Sequence, residues 1–416
     1  MTTFSVLFLA ALLLATGTRI WLARRHVRHI QSHRNRVPDS FATDIGLDAH
    51  QKAADYSSAK TGLNMAGVVF DAAVLLALTF GGGLQVVDNL AASFIAEGIG
   101  RGVLFVAILT AILSVIGLPF DLYRTFVIEE RFGFNKMSLG MFFGDLAKQT
   151  ALGLVLGLPL LFAVLWLMAG MGELWWLYVW LVAMVFMVFM QFIAPTVIAP
   201  LFNKFTPMQE GETKQRIEAL LGRCGFTSKG LFVMDGSKRS SHGNAYFTGF
   251  GDSKRIVFFD TLLSRLNIAE IEAVLAHELG HFRMRHVIKR LALVAVFSLA
   301  FLYVLGLLKN QAWFYEGLHV VSPATDAMAL TLFFMVVPVF TFLAQPLLAM
   351  YSRKHEFEAD QYAAKFAPAR DLVHALVKLY KDNASTLTPD PLHSAFYDSH
   401  PPASIRIARL EQMAKS

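Results

Sequence analysis

Seven stretches of this 416-residue chain run for about 20 residues or more almost without Asp, Glu, Lys or Arg, long enough to cross a bilayer core of roughly 30 Å. Lipid offers no hydrogen-bond partners, so the backbone of such a stretch must satisfy itself, and these stretches must be helices. They are Met1 to Thr18 (running on towards Ala23), Thr61 to Val87 interrupted by Asp71, Gly102 to Phe120, Gln149 to Gly172, Leu174 to Asn203, Leu291 to Leu308 and Ala327 to Ser352. A composition 55% hydrophobic and only 16% charged agrees with a mainly α-helical multi-pass membrane protein rather than a soluble domain. The first stretch reads as a retained helix and not a cleaved signal, because no basic residue precedes its apolar core and the arginines follow it.

Positive charge sets the orientation. Ala23 to Arg36 carries five arginines, whereas Asp88 to Arg101 and Lys309 to Asp326 are poor in them, so the N-terminus is expected outside. Threading seven spans from there leaves Asp121 to Lys148, Lys204 to Arg290 and Arg353 to Ser416 on the cytoplasmic side, each with Lys and Arg. The excess of 37 Lys and Arg over 31 Asp and Glu suits contact with anionic headgroups. No basic, aromatic-interleaved motif points to RNA or DNA, so the expected partner is the lipid bilayer and not nucleic acid. Cys224, the one cysteine, excludes an intramolecular disulfide. Asp71 belongs to a bundle interior, to water or to the membrane interface, because exposing a carboxylate to lipid is expensive.

The chain divides on this reading into residues 1–203 with five spans, a soluble insert at 204–290, two further spans in 291–352, and a C-terminal helical segment, 353–416. The insert is expected to be a small α+β unit. Gly230 to Gly236, Asn244 to Phe250 and Arg255 to Asp260 are short β-prone runs. From Asn267 onward an apolar rhythm of 3.6 residues marks a helix, with Asn267 as N-cap and Glu270 three residues on. The softest boundary falls at 36–60.

That helix carries AVLAHELGHFRMRH, Ala273 to His286. Residues four apart on a helix stand one above the other, so His277 and His281 can present imidazole nitrogens to one metal, with Glu278 beside them as a general base. After the last span, SRKHEFEADQYAAKF places Glu356 and Asp360 four apart on a second helix. Glu356 can complete the metal's ligands while Asp360 orients a ligand histidine from behind. Glu358 would face away from the metal, and His355 begins no second HExxH, since position 359 is Ala.

AHELGH, EFEADQYA, SSHGNAYFTGF, EERFGFNKMS (Glu129 to Ser138) and SHPPASIRIARL (Ser399 to Leu410), in this order over seven spans, resemble the CAAX prenyl protease 1 family of integral-membrane zinc metalloproteases of the gluzincin type. The resemblance implies one Zn2+ per chain held by His277, His281 and Glu356, with Glu278 as the base. It implies that Asn244 lies on or beside an edge strand that aligns the substrate backbone. It implies too that His400 and Arg406 steady the oxyanion or the substrate near the metal. The family fold has spans that enclose a large water-filled chamber, joined to a small zincin-like catalytic domain. Eukaryotic members remove the C-terminal tripeptide of prenylated proteins.

Glu356 lies four residues past Ser352 and His281 ten before Leu291, so at 1.5 Å per helical residue the metal is expected about 6 to 15 Å from the apolar boundary. A peptide or protein substrate anchored in lipid is within reach of such a site. The loop Lys309 to Asp326 is shorter than in eukaryotic members and no retention signal follows Ser416, which points to a bacterial inner-membrane protein. The native substrate would then be either a prenylated protein or an unprenylated, misfolded or stalled membrane polypeptide. Two other classes predict different behaviour: a transporter or channel would carry solute without Glu278, and a silent chaperone-like protein would have a broken ligand set.

Overall fold

The computed structural model describes residues 1–228, 230–248, 255–321 and 324–415. Seven helices in it are long and apolar enough to cross a membrane: Thr3–Ser32, Leu47–Leu78, Ile99–Glu129, Leu139–Gly170, Gly172–Phe202, His286–Leu308 and Asp326–Phe366. Each matches an apolar stretch of the sequence but most run further, because the polar ends continue as helix into the soluble part.

The first helix shows why. Beyond its apolar run it carries Arg25, whose Nε donates to both oxygens of Asp390 at 3.0 and 2.8 Å. His26 stacks on His393 at 3.8 Å, with the rings 11° from parallel. The second helix corrects two expectations. It starts at Leu47, inside the segment read as a soft boundary, where Arg34, in the turn after the first helix, grips Asp55 at 2.8 and 2.7 Å and His50 and Tyr56 are buried. It ends at Leu78 rather than Val87, because the chain turns through Gly82 at φ 73°, a left-handed conformation that favours glycine. Gly83–Phe94 then forms a separate amphipathic helix.

Packing among the spans is concentrated at one end. Phe8, Leu78, Leu84, Phe105, Met168, Trp175, Leu305, Phe314 and Leu332 form one buried cluster, drawn from the start of odd spans, the end of even ones and, through Leu84 and Phe314, the short helices that join them. A second cluster, with Ile217, Leu220, Phe258, Leu275, Leu279, Tyr362, Leu376 and Leu410, lies in the soluble part. Several of the helices bury little between them, 6% of the apolar window of the second span and none of the fifth, against 44% in the seventh. A filled bundle would bury a stripe on every helix. Asp71 faces this sparsely packed region, lining a cavity of about 260 Å³ with Arg19, Thr16 and Pro338, and so sits on the inner side of its span.

The soluble part holds a four-stranded sheet, β1 (Phe205–Pro207), β2 (Leu231–Met234), β3 (Ala245–Thr248) and β4 (Arg255–Phe259), in the order β1-β2-β4-β3. β2 and β4 run parallel and the other pairs antiparallel, which leaves β3 at an edge. Three of these strands stand where the sequence places them. β1 carries no signal, being three residues long and ending in Pro207. Gly249 and Phe250, expected to extend β3, lie outside the described residues.

The helix Ile268–Arg283 crosses Gln345–Phe366, the helix that continues the last span, and Gly280 sets how close they come. A Cβ at Gly280 would sit 2.9 Å from Ala359 Cα and 3.0 Å from Ala359 O, which are backbone atoms that cannot turn aside. On an open helix Gly→Ala gains up to about 1 kcal/mol. Here Gly280→Ala is expected to destabilise by about 1–3 kcal/mol through overpacking. Thermal unfolding in detergent measures this, and a Tm at or above wild type would show that the helices have room to part.

Candidate metal centre

The helix of HELGH starts on a capping box. Asn267 Oδ1 accepts from Glu270 N at 2.9 Å and Glu270 Oε2 accepts from Asn267 N at 2.8 Å, while Lys378 Nζ holds the same carboxylate at 2.7 Å. From Ile271 to His277 every residue is buried, so the first histidine arrives on a helix with no freedom to roll. One turn later His281 brings its Nε2 to 3.2 Å from Nε2 of His277.

Glu356 reaches the same point from the crossing helix. Its Oε2 lies 3.5 Å from His277 Nε2 and its Oε1 3.3 Å from His281 Nε2. A tetrahedral metal with bonds of about 2.0–2.2 Å has donor–donor edges of roughly 3.3–3.6 Å, close to the separations between the two ring nitrogens and between each of them and one oxygen of the carboxylate. Two ring nitrogens and a carboxylate turned towards one another need a shared positive charge to hold them together, a proton or a metal cation. Glu356 Oε2, buried without a hydrogen-bond partner in the protein, marks the same need. Two imidazoles and one carboxylate form an N2O set that fits a borderline divalent metal.

Behind the donors lies an ionic clamp. His277 Nδ1 is 2.9 Å from Asp360 Oδ1, and Arg406 grips Asp360 through Nε at 2.9 Å and Nη2 at 2.6 Å. Arg406 is only 5% exposed, with Nη1 3.6 Å from Glu356 and Nε and Nη2 on Asp360, so it braces Asp360 and Glu356 from behind. His400 is exposed at the rim, with Nε2 at 3.4 Å from Glu356 Oε1 and Nδ1 against Ser399 Oγ at 3.0 Å. Glu278, half-buried beside the two histidines, carries no hydrogen bond, and burial pushes its carboxyl above the usual carboxylate range, the direction a base working near neutral pH requires.

Asn244 is exposed at the start of β3, where its side chain accepts from Ala245 N at 2.8 Å and its carbonyl from Phe259 N at 3.0 Å. EERFGFNKMS secures the approach to that strand. Glu129 accepts from Tyr56 at 2.6 Å and faces His242 at 3.6 Å. Phe134 stacks on the His242 ring, and its carbonyl accepts from Ser241 N at 3.2 Å. Asn383 takes the other side of His242, with Oδ1 at 3.2 Å from both His242 Nδ1 and Gly243 N. Tyr56, His242 and Asn383 carry no metal-site spacing; His242 lies within SSHGNAYFTGF, while nothing in the sequence marks Tyr56 or Asn383. Glu358 faces away from the three donors as expected, but towards His286, a residue the sequence reading did not single out.

A cavity of about 750 Å³ opens beside His281, lined mostly by apolar groups that include Met190, Phe247, Phe282 and Ile288. One wall is a π-helical turn at Ala194–Ile198, where Pro195 interrupts the fifth span. Tyr246 and Phe247 of the edge strand form another part of the lining.

Family models match at two places: "CAAX prenyl protease N-terminal, five membrane helices" over residues 26–204, and "Peptidase family M48" over 207–414. The chain is 32% identical to the CAAX prenyl protease 1 of Saccharomyces cerevisiae, covering 91% of this chain and 89% of that one. It is 31% identical to the human CAAX prenyl protease 1 homolog, covering 98% and 96%, and 41% identical to the Arabidopsis thaliana homolog over 72% and 70%. The crystal structure of S. mikatae Ste24p superposes with a TM-score of 0.92 at 29% identity, covering 99% of this chain and all of that one. Since the first family match runs through the early membrane helices and the second through every donor just described, the chain belongs to the CAAX prenyl protease 1 family, the membrane-spanning metalloproteases of peptidase family M48.

Proposed function

We propose that His277, His281 and Glu356 hold one zinc ion and that Glu278 is the general base of peptide-bond hydrolysis beside the membrane surface. The observation that carries this reading is the pair of ring nitrogens 3.2 Å apart, each within 3.3 to 3.5 Å of an oxygen of Glu356, with Glu278 next to them. The ion, when bound, supplies Lewis acidity that polarises a carbonyl and acidifies water. Glu278 takes the proton of the attacking water and returns it to the leaving amine. Asp360, clamped by Arg406, keeps His277 in the tautomer that presents Nε2. His400, the polar group at the rim, steadies charge that develops on the substrate oxygen. The free edge of β3 takes up the substrate backbone as a further strand, with Asn244 at its start.

The substrate class follows from the surroundings. An apolar cavity beside His281 and the edge strand suits a peptide that carries a large apolar group, and the relatives named above are CAAX prenyl proteases. A prenylated or membrane-anchored protein is the proposed substrate. The arginine-rich end of the first helix lies against the C-terminal part through Asp390, which supports a cytoplasmic site by the charge rule. The short loop between the last two spans supports placement in a bacterial inner membrane.

Glu278→Gln is expected to keep the metal and lower kcat by about 10²–10⁴-fold. Chelation should abolish cleavage and zinc should restore it, with metal content and peptide turnover as the readouts. Cleavage by a metal-free sample would end the proposal. Asp360→Asn should weaken zinc binding by about 10–100-fold, read by chelator competition. A farnesylated CAAX peptide should be cut with a higher kcat/KM than the same peptide unmodified; equal rates would favour a quality-control protease that acts on unprenylated membrane polypeptides.

A further inference from the structure

The two ligand histidines are supported differently, and the difference lies at the end of the HELGH helix. Arg285 sits in the left-handed region at φ 56° and ψ 35°, where a residue with a Cβ costs about 1–2 kcal/mol. The turn swings the chain back so that His286, the first residue of the sixth span, comes under His281. His286 is 2% exposed. Its Nδ1 lies 3.0 Å from Nδ1 of His281, and its Nε2 lies 2.9 Å from Oε2 of Glu358. The ring rests flat on His355 at 3.9 Å and 9°, and Tyr351 braces His355 edge-on at 4.3 Å.

His286, His355 and Glu358 also have the spacing of a second metal site. Ring geometry argues against that use. A metal must lie in the plane of each imidazole that binds it, and two nearly parallel planes stacked at 3.9 Å share no such point. Both nitrogens of His286 already face other groups. The cluster therefore acts on His281.

Hydrogen-bond bookkeeping leaves one arrangement. If His281 offers Nε2 to the metal, its proton is on Nδ1 and can only be donated to Nδ1 of His286. His286 then carries its own proton on Nε2 and donates it to Glu358. His277 reaches a carboxylate in one hydrogen bond and His281 in two, through an intervening imidazole. We propose that His286 is a positioning residue for His281, fixing its ring orientation and tautomer for a carboxylate, Glu358, one ring further away. This rests on the reading of His281 as a metal ligand.

The test uses full-length protein in detergent, with Zn2+ affinity measured by chelator competition and the visible spectrum of the Co2+-substituted form as a second readout. His286→Ala should weaken Zn2+ binding by about 10–100-fold and shift the Co2+ spectrum. His286→Asn, whose amide oxygen can stand where ring Nδ1 stood, should recover most of the affinity and the wild-type spectrum. Glu358→Ala, on the partly exposed rim of the cluster, should lose affinity in the same direction by a smaller factor. Wild-type affinity and spectrum in both His286→Ala and Glu358→Ala would overturn the proposal; if His286→Ala does not fold, Glu358→Ala alone decides. A wild-type chain that takes up no Zn2+ would sink the ligand reading itself, an outcome separate from variants that match a metal-loaded wild type.

Discussion

Everything chemical in this molecule depends on one helix crossing. Ile268–Arg283 lies across the extension of the last span close enough that only glycine fits at position 280, and that approach brings Glu356 to the two histidines. The two helices are joined in sequence by two whole membrane spans, so neither can adjust without moving a helix that the bilayer holds. The buried clamp of Arg406 on Asp360 fastens the same crossing from a third segment. A charge pair so far from water is worth having when both partners are fully engaged, and here each also leans on a metal donor.

The membrane region is built around a different constraint. Apolar helices gain nothing from meeting each other in lipid that they would not gain from lipid itself, so close packing is needed only where the ends must be sealed. The cluster around Phe8, Phe105 and Phe314 does this at the face away from the metal, and the catalytic domain covers the other. The helices between can stand apart, which is how Asp71 and Arg19 come to line a cavity within the span region. A site with its own edge strand and an apolar cavity at the membrane boundary suits a substrate that is half peptide and half lipid-like.

The spans, the capping box and the HELGH helix could be read directly from the chain because each leaves a local periodic or positional trace. The pairing of Glu356 with the histidines could be suspected from spacing and was supplied by family resemblance, since nothing local says that two helices separated by two spans will cross. The resemblance sets Arg406 with His400 near the oxyanion or the substrate; its burial against Asp360 is a tertiary fact that no spacing carries. His286 escaped notice for a related reason. Five residues beyond His281 it would leave the metal-facing side of a continuous helix, and only the left-handed turn at Arg285 brings it back. The second helix differs at both ends: polar residues that continue a helix outside the membrane look in sequence like a linker, and the glycine turn at Gly82 hides inside an apolar run.

The order of the donors along the chain has a consequence for biogenesis. A ribosome releases His277, Glu278 and His281 before the sixth and seventh spans exist, Glu356 and Asp360 only at the far end of the seventh, and Arg406 after it. A nascent or partly inserted chain thus holds half a metal face and no clamp. On the proposed ligand set, insertion of the last hairpin of spans is the assembly step that completes the site.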